Sequence, residues 1–264
     1  MYSGFEFKDR YDIEDLLEIM RILRSEDGCP WDREQDHKSI RKDFLEEVYE
    51  VCEAIDREDS ALLREELGDV LLQVVFHARI EEEKGNFTFA DSVNDICCKL
   101  IVRHPHVFGD VQADNTDEVL KNWNDIKQKT KGQETYTQTL ESVCTALPSL
   151  MRAQKLSQRA ARAGYGESSE EAAEKALEES CRRCIADKSD ESLGDMLFAA
   201  AELARLRGRD AEELLAQAGE RYTEHFSAVE DLIRCEGKDM RSLNIDELNA
   251  YKQRAKINEL RDHR

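Results

Sequence analysis

The chain has 264 residues, and its 58 acidic and 38 basic side chains give a formal net charge of −20. A surface with this charge repels phosphate backbones, which argues against sequence-independent nucleic-acid binding. No apolar run approaches the roughly 20 residues that a membrane span needs, and the N-terminal stretch lacks a signal-peptide core. We therefore expect a soluble, cytoplasmic protein that binds neither nucleic acid nor membranes.

The composition favours helices, because proline and glycine are scarce and Ala, Leu, Glu, Arg and Lys dominate. Apolar residues recur with helical spacing along nearly the whole chain. In the first half this spacing predicts five helices, at about residues 13–23, 39–57, 60–83, 88–103 and 117–129. The apolar side chains predicted to lie inside on the second and third of these helices are Phe44, Leu45, Val48, Val51, Cys52, Ile55, Leu63, Leu67, Val70, Leu71, Val74 and Ala78.

Residues 130–139 are polar and aperiodic, so we predict a linker there. After Pro148 the helical pattern returns, and it predicts helices up to residue 163 and then at about 169–187, 190–207, 210–235 and 244–260. The order of long and broken helices in the second half repeats that of the first. The sequence therefore predicts an all-α protein made of two tandem helical bundle domains, residues 1–130 and 140–264.

Two pairs of acidic residues occupy matched positions beside the apolar stripes of the second and third predicted helices. Glu47 and Glu50 lie one turn apart at the edge of one stripe, and Glu66 and Asp69 lie in the same way beside the other. A short turn near residues 56–60 would make these helices an antiparallel hairpin. Both acidic pairs would then converge at one margin of the bundle.

Four carboxylates at one core margin repel each other unless a cation neutralises them. A set of oxygen ligands favours a hard ion, Mg²⁺ or Mn²⁺, although a solvated acidic helix face is the alternative. A di-iron site is rejected, because the chain offers a single Glu-x-x-His motif, Glu34–His37. A zinc site is also rejected, because Cys181 and Cys184 form the only spaced cysteine pair.

Magnesium in proteins often shares its coordination sphere with substrate phosphates, which need further basic residues. Lys99 and Arg103 lie one turn apart on the fourth predicted helix, and Lys127 lies on the fifth. Trp123, one turn before Lys127, and Trp31 are aromatic residues that could contact a base. Taken singly, each cation can be a solvated helix residue and each tryptophan a core residue.

Five segments, in this order, resemble the MazG family of nucleoside triphosphate pyrophosphohydrolases, which belongs to the all-α NTP pyrophosphatase superfamily. They are "CPWDREQ" (29–35), "LEEVYE" (45–50), "EELGDVLLQVVFHA" (65–78), "RHPHVF" (103–108) and "NWNDIK" (122–127). The resemblance extends over the chain and implies two tandem MazG-type domains. It further implies Mg²⁺-dependent hydrolysis of NTPs or dNTPs to the monophosphate and pyrophosphate.

The resemblance also implies roles for individual residues. The metal ligands would be Glu47, Glu50, Glu66 and Asp69. The nucleotide would be bound by Lys99, Arg103, Trp123 and Lys127, with Trp31 as a further aromatic candidate. Glu46, which points further out than Glu47, would support the ligands or help to orient the attacking water.

The second half repeats the frame of the third helix, since "ESLGDMLFAA" (191–200) matches "EELGDVLLQV" (65–74). Aligning the halves keeps two acidic positions, Glu179 and Asp195, and replaces the other two by Arg182 and Ser192. An arginine beside two carboxylates can supply their counter-charge without a metal ion. We therefore expect residues 140–264 to form a domain with a degenerate site and a structural or dimerising role.

The complete acidic set in the first half favours an enzyme. The competing hypothesis is a helical protein that senses nucleotides or binds a partner without turnover. A third keeps the chemistry but changes the substrate, since related folds act on dUTP, dCTP or phosphoribosyl-ATP. We expect a homodimer, because the superfamily pairs its helical units.

Overall fold

The computed structural model of the chain describes residues 5–111, 115, 116, 118, 119, 123, 126 and 134–262, with the backbone alone after residue 257. All secondary structure among these residues is helical, which confirms the predicted all-α class. The chain divides into two compact units, residues 1–127 and 128–264. None of the described helices combines the length and the hydrophobicity that a bilayer span requires.

Six helices of the first unit are described from end to end, and the described residues 116, 118, 119, 123 and 126 are also helical. The six helices are α1 (Ile13–Leu23), α2 (Pro30–Glu34), α3 (Arg41–Asp56), α4 (Ser60–Glu83), α5 (Phe89–Arg103) and α6 (Pro105–Phe108). Local sequence sets the helix starts, because Asp59 caps α4 and Thr88 forms a capping box with Asp91 at the start of α5. A three-residue turn between α3 and α4 folds the two helices into a tightly packed hairpin.

The core of the first unit lies along the C-terminal half of α4, against which α1 and α5 pack. The buried hydrophobic residues of this core are Met20, Ile40, Val75, Phe76 and Ile80. Leu16, Leu17, Leu72 and Phe89 pack around them. This core fixes the direction of α4, and α4 in turn fixes the hairpin partner α3.

The apolar stripe of the α3–α4 hairpin departs from the prediction. Six side chains that were expected inside are exposed in the single chain: Leu45, Val48, Cys52, Ile55, Leu67 and Leu71. Leu45 is 56% exposed and Leu67 is 51% exposed. The prediction of burial is wrong for these six residues, because no other described element of the first unit covers this face. Apolar residues at similar exposure continue along α5, including Ile96 and Leu100.

The described part of the second unit contains six α-helices and a short 3₁₀ helix at Met240–Ser242. The α-helices are α7 (Tyr136–Glu141), α8 (Ser149–Arg162), α9 (Glu170–Asp187), α10 (Asp190–Leu206), α11 (Ala211–Cys235) and α12 (Ile245–Asp262). The pair α9–α10 forms a hairpin, α8 packs on α10, and α11 packs on α12. The hairpin therefore repeats the α3–α4 arrangement within its own unit.

The long helices follow the predicted ranges closely, and the differences lie in short elements. The structure adds α2 and α6 where the sequence predicted breaks, and α7 overlaps the predicted linker. The linker prediction is therefore wrong for residues 136–139, while 130–133 lie outside the described residues. The predicted helix at 117–129 also falls mostly outside them.

Two glycines occupy equivalent positions in the duplicated helix frame. Gly68 lies inside α4 and Gly194 lies inside α10, each directly before the aspartate of the repeated "LGD". A Cβ atom built at either glycine would meet no heavy atom within 4 Å, apart from its chain neighbours and its own helix backbone. The described chain thus leaves open space beside both positions.

Candidate active site

Three of the predicted carboxylates come together across the α3–α4 hairpin. Glu47 of α3 meets Glu66 and Asp69 of α4, and one ligand oxygen from each lies within 4.8 Å of the others. The hairpin creates this arrangement, because Glu66 and Asp69 lie one turn apart on the face of α4 that meets α3. All three residues are partly buried, so their charges are less screened than those of a solvated helix face.

The electrostatics of the cluster show the cost of gathering these groups. Burial, then the charge of Asp69 and a hydrogen bond with Glu50, raise the pKa of Glu47 to about 7. Burial and then the charge of Glu50 also raise the pKa of Glu66. Without a cation, burial and then repulsion keep a proton on a carboxyl group that an isolated glutamate would lose near pH 4.5. A bound cation would reverse that balance.

Two further glutamates of α3 differ in their relation to the cluster. Glu50 is exposed and stands at its margin, where it acts on both Glu47 and Glu66. Glu46 is also exposed, and the structure describes no contact from its carboxylate to the other acidic groups.

The predicted nucleotide-binding residues are only partly brought together. The guanidinium carbon of Arg103 lies 5.3 Å from the centre of the Trp123 ring, a cation–π contact at the end of α5. Lys99 lies one turn earlier on α5 and is exposed, and Trp31 of α2 is 59% exposed. Lys127 lies outside the described residues. The helix that carries Lys99 and Arg103 packs directly against α4.

The structure adds a residue that the sequence reasoning missed. Gln73 lies one turn after Asp69 on α4 and is 8% exposed, and its side-chain oxygen has no hydrogen-bond partner among the described residues. Buried amide oxygens in proteins are nearly always bonded, so a partner beyond the described residues is expected here. The signal was present in the sequence, since Gln73 continues the spacing of Glu66 and Asp69 as a polar residue in an apolar run.

The corresponding position in the second unit is neutralised within the chain. Asp195 of α10 pairs with Arg183 of α9 at 2.7 Å, while Arg182 pairs with Glu178 and Glu179 on its own helix. The expectation that Arg182 would serve both remaining carboxylates is therefore wrong for Asp195. Arg183, one residue along, faces α10 in its place.

Ser192 stands at the position that Glu66 has in the first unit. It is 2% exposed, and its hydroxyl donates a hydrogen bond to Oδ1 of Asp187 at 2.5 Å. Its backbone N–H is bonded by the side chain of Ser189, the N-cap of α10. The residue has become part of the helix start, so it offers no charge to a metal ion.

The donor set of the first unit fits a hard divalent cation. It consists of carboxylate oxygens from two helices that pack against each other, and it carries more negative charge than its surroundings balance. In the second unit the acidic residues at matching positions already have arginine partners. The two units thus share a helical frame and differ in the chemistry that the frame can support.

Comparisons with known proteins give a consistent result. Residues 35–108 match the family model described as the MazG nucleotide pyrophosphohydrolase domain. The chain is 40% identical over 258 residues to a nucleoside triphosphate pyrophosphohydrolase of Escherichia coli K12, covering 94% of this chain and 98% of that protein. It is 38% identical to the nucleoside triphosphate pyrophosphohydrolase/pyrophosphatase MazG of Thermotoga maritima, covering 92% and 95%. A crystal structure of a mazG-related protein from the same species aligns with 44% of this chain and 99% of that one, at 28% identity and a TM-score of 0.38.

Proposed function

Because the chain belongs to the MazG nucleotide pyrophosphohydrolase family, we propose that it hydrolyses nucleoside triphosphates, including deoxynucleotides, to the monophosphate and pyrophosphate. The observation that supports this most directly is the convergence of Glu47, Glu66 and Asp69 within 4.8 Å. The raised pKa of Glu47 supports it further, because the uncompensated charge of Asp69 contributes to that shift after burial, so the cluster lacks positive charge. A nucleoside triphosphate that binds together with its metal ion would bring this missing positive charge into the cluster.

We assign the ion as Mg²⁺, with Mn²⁺ as the alternative, held by Glu47, Glu50, Glu66 and Asp69. Carboxylate oxygens without imidazole or thiolate ligands are the set that these hard ions prefer. When bound, the ion would neutralise charge on the polyphosphate and favour attack on phosphorus.

The remaining groups of the first unit bind and orient the substrate in this proposal. Lys99, Arg103 and Lys127 bind phosphate oxygens, which an acidic protein could not otherwise hold. Trp123, held against the Arg103 guanidinium, and Trp31 offer aromatic faces for the base. Glu46, close in sequence to the ligands and exposed to solvent, orients the attacking water and accepts its proton.

The division of labour between the domains is part of the same proposal. Residues 1–130 form the MazG domain with the active site, and residues 140–264 form a MazG-like domain that is structural or dimerising. The ion pair between Arg183 and Asp195 and the buried Ser192 support this division. The exposed apolar face of α3, α4 and α5 supports a homodimer, because contiguous apolar surface of this kind marks an interaction site.

Incubation with a panel of NTPs and dNTPs tests the proposal, with pyrophosphate and monophosphate measured as products. We expect release of pyrophosphate with Mg²⁺ present and none when the ion is chelated. Release of inorganic phosphate in place of pyrophosphate would assign a different reaction. Nucleotide binding without any turnover would identify a nucleotide-sensing protein.

A further inference from the structure

A second group of polar side chains lies further along α4. It joins α4 to residues 29–40, which precede α3 and contain α2, and which we call the α2 segment. The Nδ1 atoms of His37 and His77 lie 2.7 Å apart, and their rings stack with centroids 5.0 Å apart. The Nε2 atom of His37 lies 2.5 Å from a carboxylate oxygen of Glu81. The α2 segment is thus fastened to two residues one turn apart on α4. We call His37, His77 and Glu81 the histidine clasp.

The α2 segment has a second attachment to α4 through Arg24, which is buried at the end of α1. Its Nη1 atom donates to the backbone oxygens of Asp32 at 2.5 Å and Gln35 at 3.1 Å. Its Nε and Nη2 atoms donate to the carboxylate of Glu83, at 3.0 and 2.8 Å. This attachment contains no group that titrates in mild acid, so the clasp is the attachment that pH can change.

The clasp lies on the same face of α4 as the carboxylate cluster. Asp69, Gln73 and His77 follow at steps of four residues, so they form one stripe, and the rise from Asp69 to His77 is about 12 Å. An extended nucleoside triphosphate can bridge this distance. With its phosphates at the carboxylates, its base would pass the Gln73 oxygen, which has no partner among the described residues, and reach the α2 segment, which carries the exposed Trp31.

The hydrogen bonds of the clasp limit how many protons it can hold. Glu81 is an ionised carboxylate and can only accept, so His37 donates from Nε2. The two Nδ1 atoms face each other, so one donates and the other accepts. The contact survives with both rings neutral or with one charged. When all four ring nitrogens carry a proton, the two Nδ1–H groups face each other and both rings are positively charged, so the contact between the rings breaks.

We propose that His37, His77 and Glu81 position the α2 segment, and with it Trp31, as one wall of the nucleotide site, and that double protonation of the histidine pair releases that wall. The proposal rests on the proposed function for the identity of the ligand. His37, His77 and Glu81 are positioning residues in it, since they act through the segment. Their loss weakens nucleotide binding and leaves the chemical step at the carboxylates intact.

The other charged groups around the pair stay ionised in mild acid. Hydrogen bonds, the largest from Lys84, lower the pKa of Glu81 to about 2. Backbone N–H groups lower the pKa of Asp36, which lies beside His37 in the α2 segment. The side chain of α3 that packs against His77 is Phe44, which carries no charge. Burial and then His37 lower the pKa of His77, so the second proton is taken up only below its usual titration range.

Hydrogen exchange of the α2 segment tests the clasp without any substrate. In the wild type we expect protection of its amides, relative to an unstructured peptide, to fall about tenfold between pH 7.5 and 5.5, which corresponds to about 1.4 kcal/mol.

His77→Gln keeps a donor for His37 but cannot be charged, so its protection should not change with pH. His77→Leu removes the donor, so protection should be low at both pH values. His225→Gln, in the second unit, is the control and should follow the wild type. Equal protection in all four proteins overturns the proposal.

Binding of a non-hydrolysable triphosphate analogue with Mg²⁺ tests the positioning role. The wild type and the variant are compared at the same pH, so that titration of the phosphates and of the carboxylate cluster affects both proteins equally. At pH 5.5 we expect His77→Gln to bind the analogue about tenfold more tightly than the wild type, with equal affinity at pH 7.5. At saturating substrate, kcat of His77→Leu should stay near that of the wild type while KM rises. Equal analogue affinities of wild type and His77→Gln at both pH values overturn the proposal. Absence of turnover with the exchange and analogue results intact rejects only the proposed function.

Discussion

Asp69 of α4 lies across the helical hairpin from Glu47 of α3, and after burial its charge is the largest cause of the Glu47 pKa of about 7. Without a cation, the folded chain keeps a proton that the unfolded chain releases near pH 4.5. The folded state therefore binds more protons between these values. Through this group, the stability of the metal-free protein falls as the pH rises from about 4.5 to about 7.

Removing the charge of Glu47 should stabilise the metal-free protein at neutral pH. We expect Glu47→Gln in a chelator to have a higher melting temperature than the wild type at pH 8, with a difference that shrinks towards pH 4.5. Thermal unfolding across this pH range measures it. Added Mg²⁺ should raise the melting temperature of the wild type much more than that of the variant, because the ion binds the folded state. Equal responses to Mg²⁺ would reject Glu47 as a ligand.

Replacing Glu50 by arginine imitates the second unit and should abolish turnover. A fixed positive charge beside Glu47 and Glu66 takes the place of the ion, so we expect Glu50→Arg to lower kcat/KM about 100-fold or more. Glu53→Arg, on the same helix and outside the cluster, is the matched control and should retain activity. Far-ultraviolet circular dichroism should show equal helicity in both variants. An active Glu50→Arg protein would contradict the site assignment.

Substitutions at the matching carboxylate of the second unit should not affect turnover. Asp195→Asn removes a charge that Arg183 already neutralises at the protein surface, so we expect kcat/KM to stay at the wild-type value. Asp69→Asn makes the same chemical change in the first unit and should lower kcat/KM strongly. Steady-state kinetics of the two variants side by side decide between the units. A comparable loss in both would show that the second unit takes part in catalysis.

The exposed apolar face should mediate self-association. We expect Leu67→Glu to dissociate the proposed homodimer, because it places a charge within the exposed apolar face, which would lose water on association. Sedimentation velocity of the wild type and the variant measures the mass. Ala61→Glu is the control, since it adds the same charge to an exposed site in the first turn of α4, where acidic residues are favourable. A wild-type protein that sediments as a monomer would exclude this interface.

The core of the first unit should depend on Met20, which is 1% exposed and packs against α4. Met20→Ala leaves a cavity, and we expect it to lower the free energy of unfolding by about 2–5 kcal/mol. Met20→Leu keeps most of the volume and should cost less than about 1.5 kcal/mol. Urea unfolding measures both values. Similar costs for the two substitutions would show that the packing there adapts to a smaller side chain.

The long helices could be predicted because their apolar spacing and end signals are local. The range 60–83 predicted for the third helix is the range of α4, where Asp59 caps the first turn. The exposed face could not be predicted, since periodicity marks Leu67 as apolar without saying whether its own chain covers it. The short helix α7 was missed, because six residues are too few to establish a period.

The candidate site was predictable to the extent that it follows from one hairpin. Glu47, Glu66 and Asp69 could be brought together by helical geometry and an antiparallel turn. The contact between His37 and His77 could not, because it joins residues 40 positions apart through a segment without regular spacing. His37 appeared in the sequence only as part of a rejected iron motif. Its partner became visible once the packing of the α2 segment was known.

The open space beside Gly68 has a consequence for engineering the protein. Glycine inside a helix costs about 1 kcal/mol relative to alanine, and the described chain leaves room for the extra methyl group. Gly68→Ala should therefore make the isolated subunit more resistant to unfolding. If a second copy packs closely on this face, the same methyl group hinders its approach. Gly68→Ala would then stabilise the folded chain and weaken its dimerisation. It would separate the stability of the subunit from the stability of the dimer, which a melting temperature alone combines.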